Sequence, residues 1–139
     1  MAEPAELFVD TNVFLRFLTA DDQAKAKRAE ALFKRALDGK VTLTTSLLVV
    51  AEIVWTLESF YELDKQDVAD KVLTILNTPN LACPEARLIR PALDVYVQQN
   101  MDFIDAYHAL YLRDEGLNQI VTFDRKHFGR VSWLDTIEP

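Results

Sequence analysis

The sequence predicts an α/β domain with a mainly parallel sheet of about five strands, covered by helices on both sides. Three observations carry this. Short apolar or β-branched runs alternate along the chain with stretches whose apolar residues recur at helical spacing. The first run, Leu7-Phe8-Val9, suits a buried strand and passes directly into a carboxylate, Asp10, and then into a helix. A later run, QIVTFD, repeats that design with Asp124 at its end. In a parallel sheet both acids would lie at the carboxyl edge, where open α/β sheets bind ligands.

Taken in order, a short helix is expected over Asn12–Thr19, after which Ala20-Asp21-Asp22 makes a break. Asp22 is placed to cap a second helix reaching Leu37, with Ala26, Ala29, Phe33 and Leu37 on one face and Gly39 as its stop. Val41-Thr42-Leu43-Thr44 alternates and is β-branched, so it reads as a strand. Ser46 then opens a strongly apolar helix to about Tyr61, followed by another over Lys65–Leu76. Leu81-Ala82-Cys83 is a short strand stopped by Pro84. A helix over Glu85–Gln99 carries Pro91, which is placed to kink it. Asp102 opens a helix to Arg113, ended by Gly116; Ile120–Phe123 is a strand, and Val131-Ser132-Trp133-Leu134 a last one.

The 139 residues suit one domain spanning the chain, and half are hydrophobic, enough for a full core. One cysteine, Cys83, excludes a disulfide within the chain and argues against a thiolate zinc site; burial in a strand is its expected fate. The start, MAEPAELFVD, lacks the features of a signal peptide, and no apolar run is long enough for a membrane span. A soluble protein of the cytoplasm is expected. The formal net charge of -7 is awkward for a nucleic-acid binder, which normally presents a basic footprint.

The acids form a set. Glu52 lies within LLVVAEIVW, where Glu52, Thr56 and Ser59 make the only polar stripe on an otherwise apolar helix. A carboxylate there either faces water or serves a site, since burying it alone costs several kcal/mol. Asp102 and Asp105 are three apart in NMDFIDAYHALYL and share the first turn of a helix, as a cap and a dipole partner or as ligands. Asp124 is either a turn residue or the counterpart of Asp10. Carboxylates brought together repel by about 4 kcal/mol per pair at about 4 Å and an effective dielectric of about 20. Such a cluster calls for protons or a hard cation, and oxygen donors favour Mg²⁺ or Mn²⁺ over zinc. Two such ions suit phosphoryl-ester cleavage, one activating water and the other stabilising the leaving oxygen. They would also offset four of the seven negative charges. Arg16, one turn past Asn12, and Arg125, Lys126 and Arg130 after Asp124 are candidates to hold substrate phosphates. His108 reads as a helix-surface residue and His127 as a loop residue. Trp55, Phe60, Tyr61 and Tyr107 read as core or dimer surface, with core preferred.

Four segments, FVDTNVFLRFLTADD, AEIVWTLES, DFIDAYHAL and VTFDRKHF, together resemble the PIN domain family, and within it the VapC-type toxins of toxin–antitoxin pairs. The resemblance spans nearly the whole chain. It implies an α/β/α sandwich and an Mg²⁺- or Mn²⁺-dependent endoribonuclease with one or two ions. By motif position it places Asp10, Glu52, Asp105 and Asp124 as the acidic quartet, with Thr11, Asn12 and Thr122 supporting and Asp102 auxiliary. It further implies an RNA substrate, a homodimer, and a small antitoxin whose tail, often bearing an Arg, enters the acidic site. Ala2–Glu6 depart from the pattern, since many of these toxins begin almost at the first strand. A PIN nuclease of RNA processing and a catalytically silent binding module are the alternatives. A haloacid-dehalogenase-type phosphohydrolase would need a second acid two residues after Asp10, where Asn12 stands.

Overall fold

The computed structural model describes residues 4–139. The residues Met1–Glu3, part of the stretch read above for a signal peptide and ahead of the first strand, lie outside them. The elements run β1 (Ala5–Phe8), α1 (Thr11–Thr19), α2 (Gln23–Leu37), β2 (Val41–Thr44), α3 (Leu47–Ser59), α4 (Lys65–Leu76), β3 (Leu81–Ala82), α5 (Ala86–Gln98), α6 (Phe103–Asp114), β4 (Gln119–Val121), α7 (Arg125–Phe128) and β5 (Asp135–Ile137). Every strand pairing is parallel. The ladders fall into two groups, β1-β2-β3 and β4-β5. The chain forms two compact units, one running to Ala86 and one from Arg87 onward.

In the first unit the helix starts follow local chemistry. Asp10, Asp22, Ser46 and Asp64 each cap a helix, accepting from Thr11, Lys25, Val49 and Asp67 N–H respectively. The first-unit core holds Phe14, Val50, Ile53, Leu57, Val68 and Val72, and Phe14 stacks on Phe33 with centroids 5.6 Å apart. The turn after β1 is tied from the side of β2. Val9 N–H donates to the Thr44 carbonyl at 2.9 Å, and the buried Thr45 hydroxyl donates to the Val9 carbonyl at 3.0 Å. These two bonds fix the backbone that carries Asp10.

In the second unit α5 runs through Pro91 as one continuous helix. Tyr96 and Phe103 meet edge to face at 6.2 Å in the core. The Trp133 indole N–H donates to the Ala109 carbonyl at 2.9 Å, and the Arg113 guanidinium lies 4.2 Å over the same ring.

Five expectations are corrected. β1 is not buried: Leu7 and Phe8 are 37% and 60% exposed, and only Val9 is enclosed. Val131–Leu134 is not a strand. Val131 and Leu134 are buried, but through successive turns, Val131 N–H to Phe128 and Leu134 N–H to Val131; the strand begins one residue later at Asp135. Apolar spacing had marked burial there, and burial is not a backbone conformation. Phe123 lies beyond β4 and is 84% exposed. Trp55 and Phe60 are exposed, not core. Cys83 falls just past β3 and is half-buried; burial and the neighbouring Glu85 carboxylate push its thiol up. Among the described residues no helix is long and apolar enough to cross a membrane.

Candidate acidic site

The β1–α1 turn presents Asp10 with its side chain committed to the helix start. Its Oδ1 accepts the Thr11 N–H at 2.7 Å, and the residue is exposed. Thr11 behind it is buried, and among the described residues its Oγ1 has no hydrogen-bond partner. A buried hydroxyl left without a partner marks a place where water or a ligand completes the shell. Asn12 is exposed on the first turn of α1. Glu52 sits on α3 with Leu48 and Trp55 on the same face, one turn to either side of it. All three are exposed, so the helix is not buried nearly all round as its composition suggested. Glu52 therefore faces solvent.

The second unit gathers acids. Asp102 caps α6, its Oδ2 accepting from Ile104 N–H at 3.1 Å and Asp105 N–H at 3.4 Å. Asp105, in the first turn of the same helix, is partly buried. Burial, then the negative charges of Asp102 and Asp124, raise its carboxyl above the ordinary value of 3.8. Asp124 caps α7. Both its oxygens are held by His127, Oδ1 by the backbone N–H at 3.0 Å and Oδ2 by the ring Nδ1 at 2.7 Å. Those two bonds, the backbone one foremost, lower its carboxyl below 3.8. Thr122 Oγ1 accepts the Asp124 N–H at 2.9 Å and so orients its backbone.

The structure thus brings Asp102 and Asp124 within electrostatic reach of Asp105. It places Asp10 and Glu52 in the first unit, on separate elements. Among the described residues no group of three or more His, Cys, Asp or Glu side chains is gathered closely enough to hold a metal ion. The donors of these acids are oxygen atoms only, the type a hard divalent cation prefers. Two of the candidate phosphate contacts are already paired. Arg16 bonds Asp21 at 3.1 Å and Arg125 lies 3.4 Å from Glu138, both exposed pairs that exchange readily.

Two residues were missed from sequence. His127, expected in a loop, lies in α7 and holds Asp124, and the spacing D-x-x-H at a helix start is the signal that could have found it. Thr45 fixes the turn before Asp10 through a non-local bond, and no local signal marked it.

A family model described as the PIN domain matches residues 7–134, across both compact units. The chain is 27% identical over 118 residues to the VapC ribonuclease of Aquifex aeolicus (strain VF5), covering 85% of this chain and 87% of that one. Among solved structures it is similar to VapC20 of Mycobacterium tuberculosis, a Sarcin-Ricin loop cleaving toxin. The TM-score is 0.39 at 19% identity, covering 88% of this chain and 93% of that one. It is also similar to VapBC2 from Rickettsia felis, solved bound to a DNA fragment of its promoter. There the TM-score is 0.39 at 16% identity, covering 96% and 98%. With the matching model spanning almost its full length, and parallel α/β pairing throughout, the chain belongs to the PIN domain family.

Proposed function

We propose that this protein is a divalent-metal-dependent endoribonuclease acting as the toxin of a toxin–antitoxin pair. Family membership and the likeness to a VapC ribonuclease support the nuclease reading. The single observation that carries it is Asp105. Its carboxyl is pushed up by burial first and by the charges of Asp102 and Asp124 second, and a bound cation would offset those charges.

Asp10, Glu52, Asp105 and Asp124 are the proposed holders of one or two Mg²⁺ or Mn²⁺ ions. Such ions, when bound, activate a water and offset charge on the leaving oxygen of a phosphodiester. The chain's own residues prepare the site. His127 and Thr122 hold Asp124 in one orientation, Asp102 fixes the start of α6 beneath Asp105, and Thr45 sets the turn that presents Asp10. Thr11 and Asn12 offer a hydroxyl and an amide beside Asp10. The partners in this reading are RNA, a second copy of the chain, and a small antitoxin whose basic tail enters the acidic site; the compartment is the cytoplasm.

A silent binding module is the second reading. What favours it is that Asp10, Asp102 and Asp124 each already serve a helix start. Incubating the purified protein with a labelled RNA, with and without Mg²⁺ or Mn²⁺, separates the two. Metal-dependent cleavage lost in Asp10→Asn and Asp105→Asn supports the nuclease. Absence of any metal binding at millimolar concentration overturns it.

A further inference from the structure

Lys and Arg are unevenly spread along this acidic chain. Helix α2 alone holds five of the fifteen, Lys25, Lys27, Arg28, Lys34 and Arg35, against one acid, Glu30. Two of them turn into a groove of about 370 Å³ between α1 and α2, where Arg16 of α1 joins them. Asn12 lines the same groove, with apolar lining from Val13 and Ala29, and no carboxylate lines it. Among the described residues neither Lys25 nor Arg28 is in an ion pair, and the Arg16 pair with Asp21 is an exposed one. A chain of net charge -7 repels a polyanion at long range, so phosphate binding must come from a local concentration of donors.

We propose that the α1–α2 groove is a track for the phosphate backbone of single-stranded RNA, anchored by Arg16, Lys25 and Arg28. Asn12 marks the end of the track two residues from Asp10, so the proposal rests on the nuclease reading for the identity of the polyanion. The cations supply sequence-independent affinity. Val13 and Ala29 give ribose and base edges an apolar surface. Three phosphate contacts on a single strand predict a slope of log K against log salt of about -2 from this groove.

The test measures anisotropy of a fluorescein-labelled single-stranded RNA of mixed sequence, titrated with the full chain in EDTA so that nothing is cleaved. The double variant Lys25→Gln/Arg28→Gln is compared with Lys27→Gln/Arg35→Gln, which removes the same charge from the same helix outside the groove. The groove pair is expected to weaken binding about ten-fold and to flatten the salt slope by about 1.4, and the control pair to weaken it less than two-fold. Equal effects of the two pairs, or none, overturn the proposal. So does binding of a poly-glutamate peptide that RNA fails to displace, which would assign the groove to an acidic protein partner. Cleavage of the same RNA with Mg²⁺ or Mn²⁺ is scored separately. Cleavage with unaltered binding in the groove pair sinks the groove alone. Groove-dependent binding with no cleavage sinks the nuclease alone.

Discussion

His127 Nδ1 stands 2.7 Å from Asp124 Oδ2, while the His127 backbone N–H reaches the other oxygen of the same carboxylate. One residue thereby bonds an acid from two sides at the start of α7. Both bonds favour the ionised form.

The first prediction follows from that sign. Asp124 has a folded-state pKa below 3.8, so its contribution to stability is present above the unfolded value and is lost as the pH falls through the lowered one. Asp124→Asn should lower the melting temperature at neutral pH, and the gap to the unaltered protein should close in strong acid. Melts across the acid range check this; a gap of constant size contradicts it.

Asp105 has the opposite sign. Its pKa is raised, so the folded state binds the extra proton and stability falls as the pH rises through that value. In metal-free buffer Asp105→Asn should remove this decline, and with Mg²⁺ present it should abolish cleavage. Added Mg²⁺ should then stabilise the unaltered protein and not the variant. Identical Mg²⁺ responses in thermal melts would count against Asp105 as a ligand.

Glu52 is exposed on α3, so Glu52→Gln should shift stability by no more than about 0.5 kcal/mol. Under the proposed function it should nonetheless reduce cleavage at least a hundred-fold. A cleavage rate within two-fold of the unaltered protein would return Glu52 to the solvated surface.

Thr45→Val keeps the shape of a side chain only 2% exposed but deletes the donor to the Val9 carbonyl. We expect a loss of about 1–2 kcal/mol from the unsatisfied carbonyl, read by urea unfolding. Cleavage should fall as well, because the turn bearing Asp10 loses a tie. Thr45→Ser, which retains the hydroxyl, should restore most of both.

Much of the fold was legible because it is written locally. Asp22, Ser46 and Asp102 stand at helix starts as capping chemistry requires, and Gly39 and Gly116 take the positive φ that ends α2 and α6. The alternation in Val41–Thr44 matched a strand whose inward residues are buried. The same local logic misled at Val131–Leu134, where spacing recorded burial but the chain achieved it in turns. It misled again at Trp55 and Phe60, since apolarity says what can be buried and not what is.

The sequence by itself determined the fold class and the chemistry of the acids: which carboxylates exist, and that each stands at an element's end or on a helix face. It did so because caps, periodicity and turns are short-range. Only the tertiary structure decided that Asp124 presses on Asp105, that Thr45 ties the turn before Asp10, and that α1 and α2 enclose a basic groove. Coulomb forces and non-local hydrogen bonds depend on distance in space. Separation along the chain fixes that distance only within a turn or two of one element.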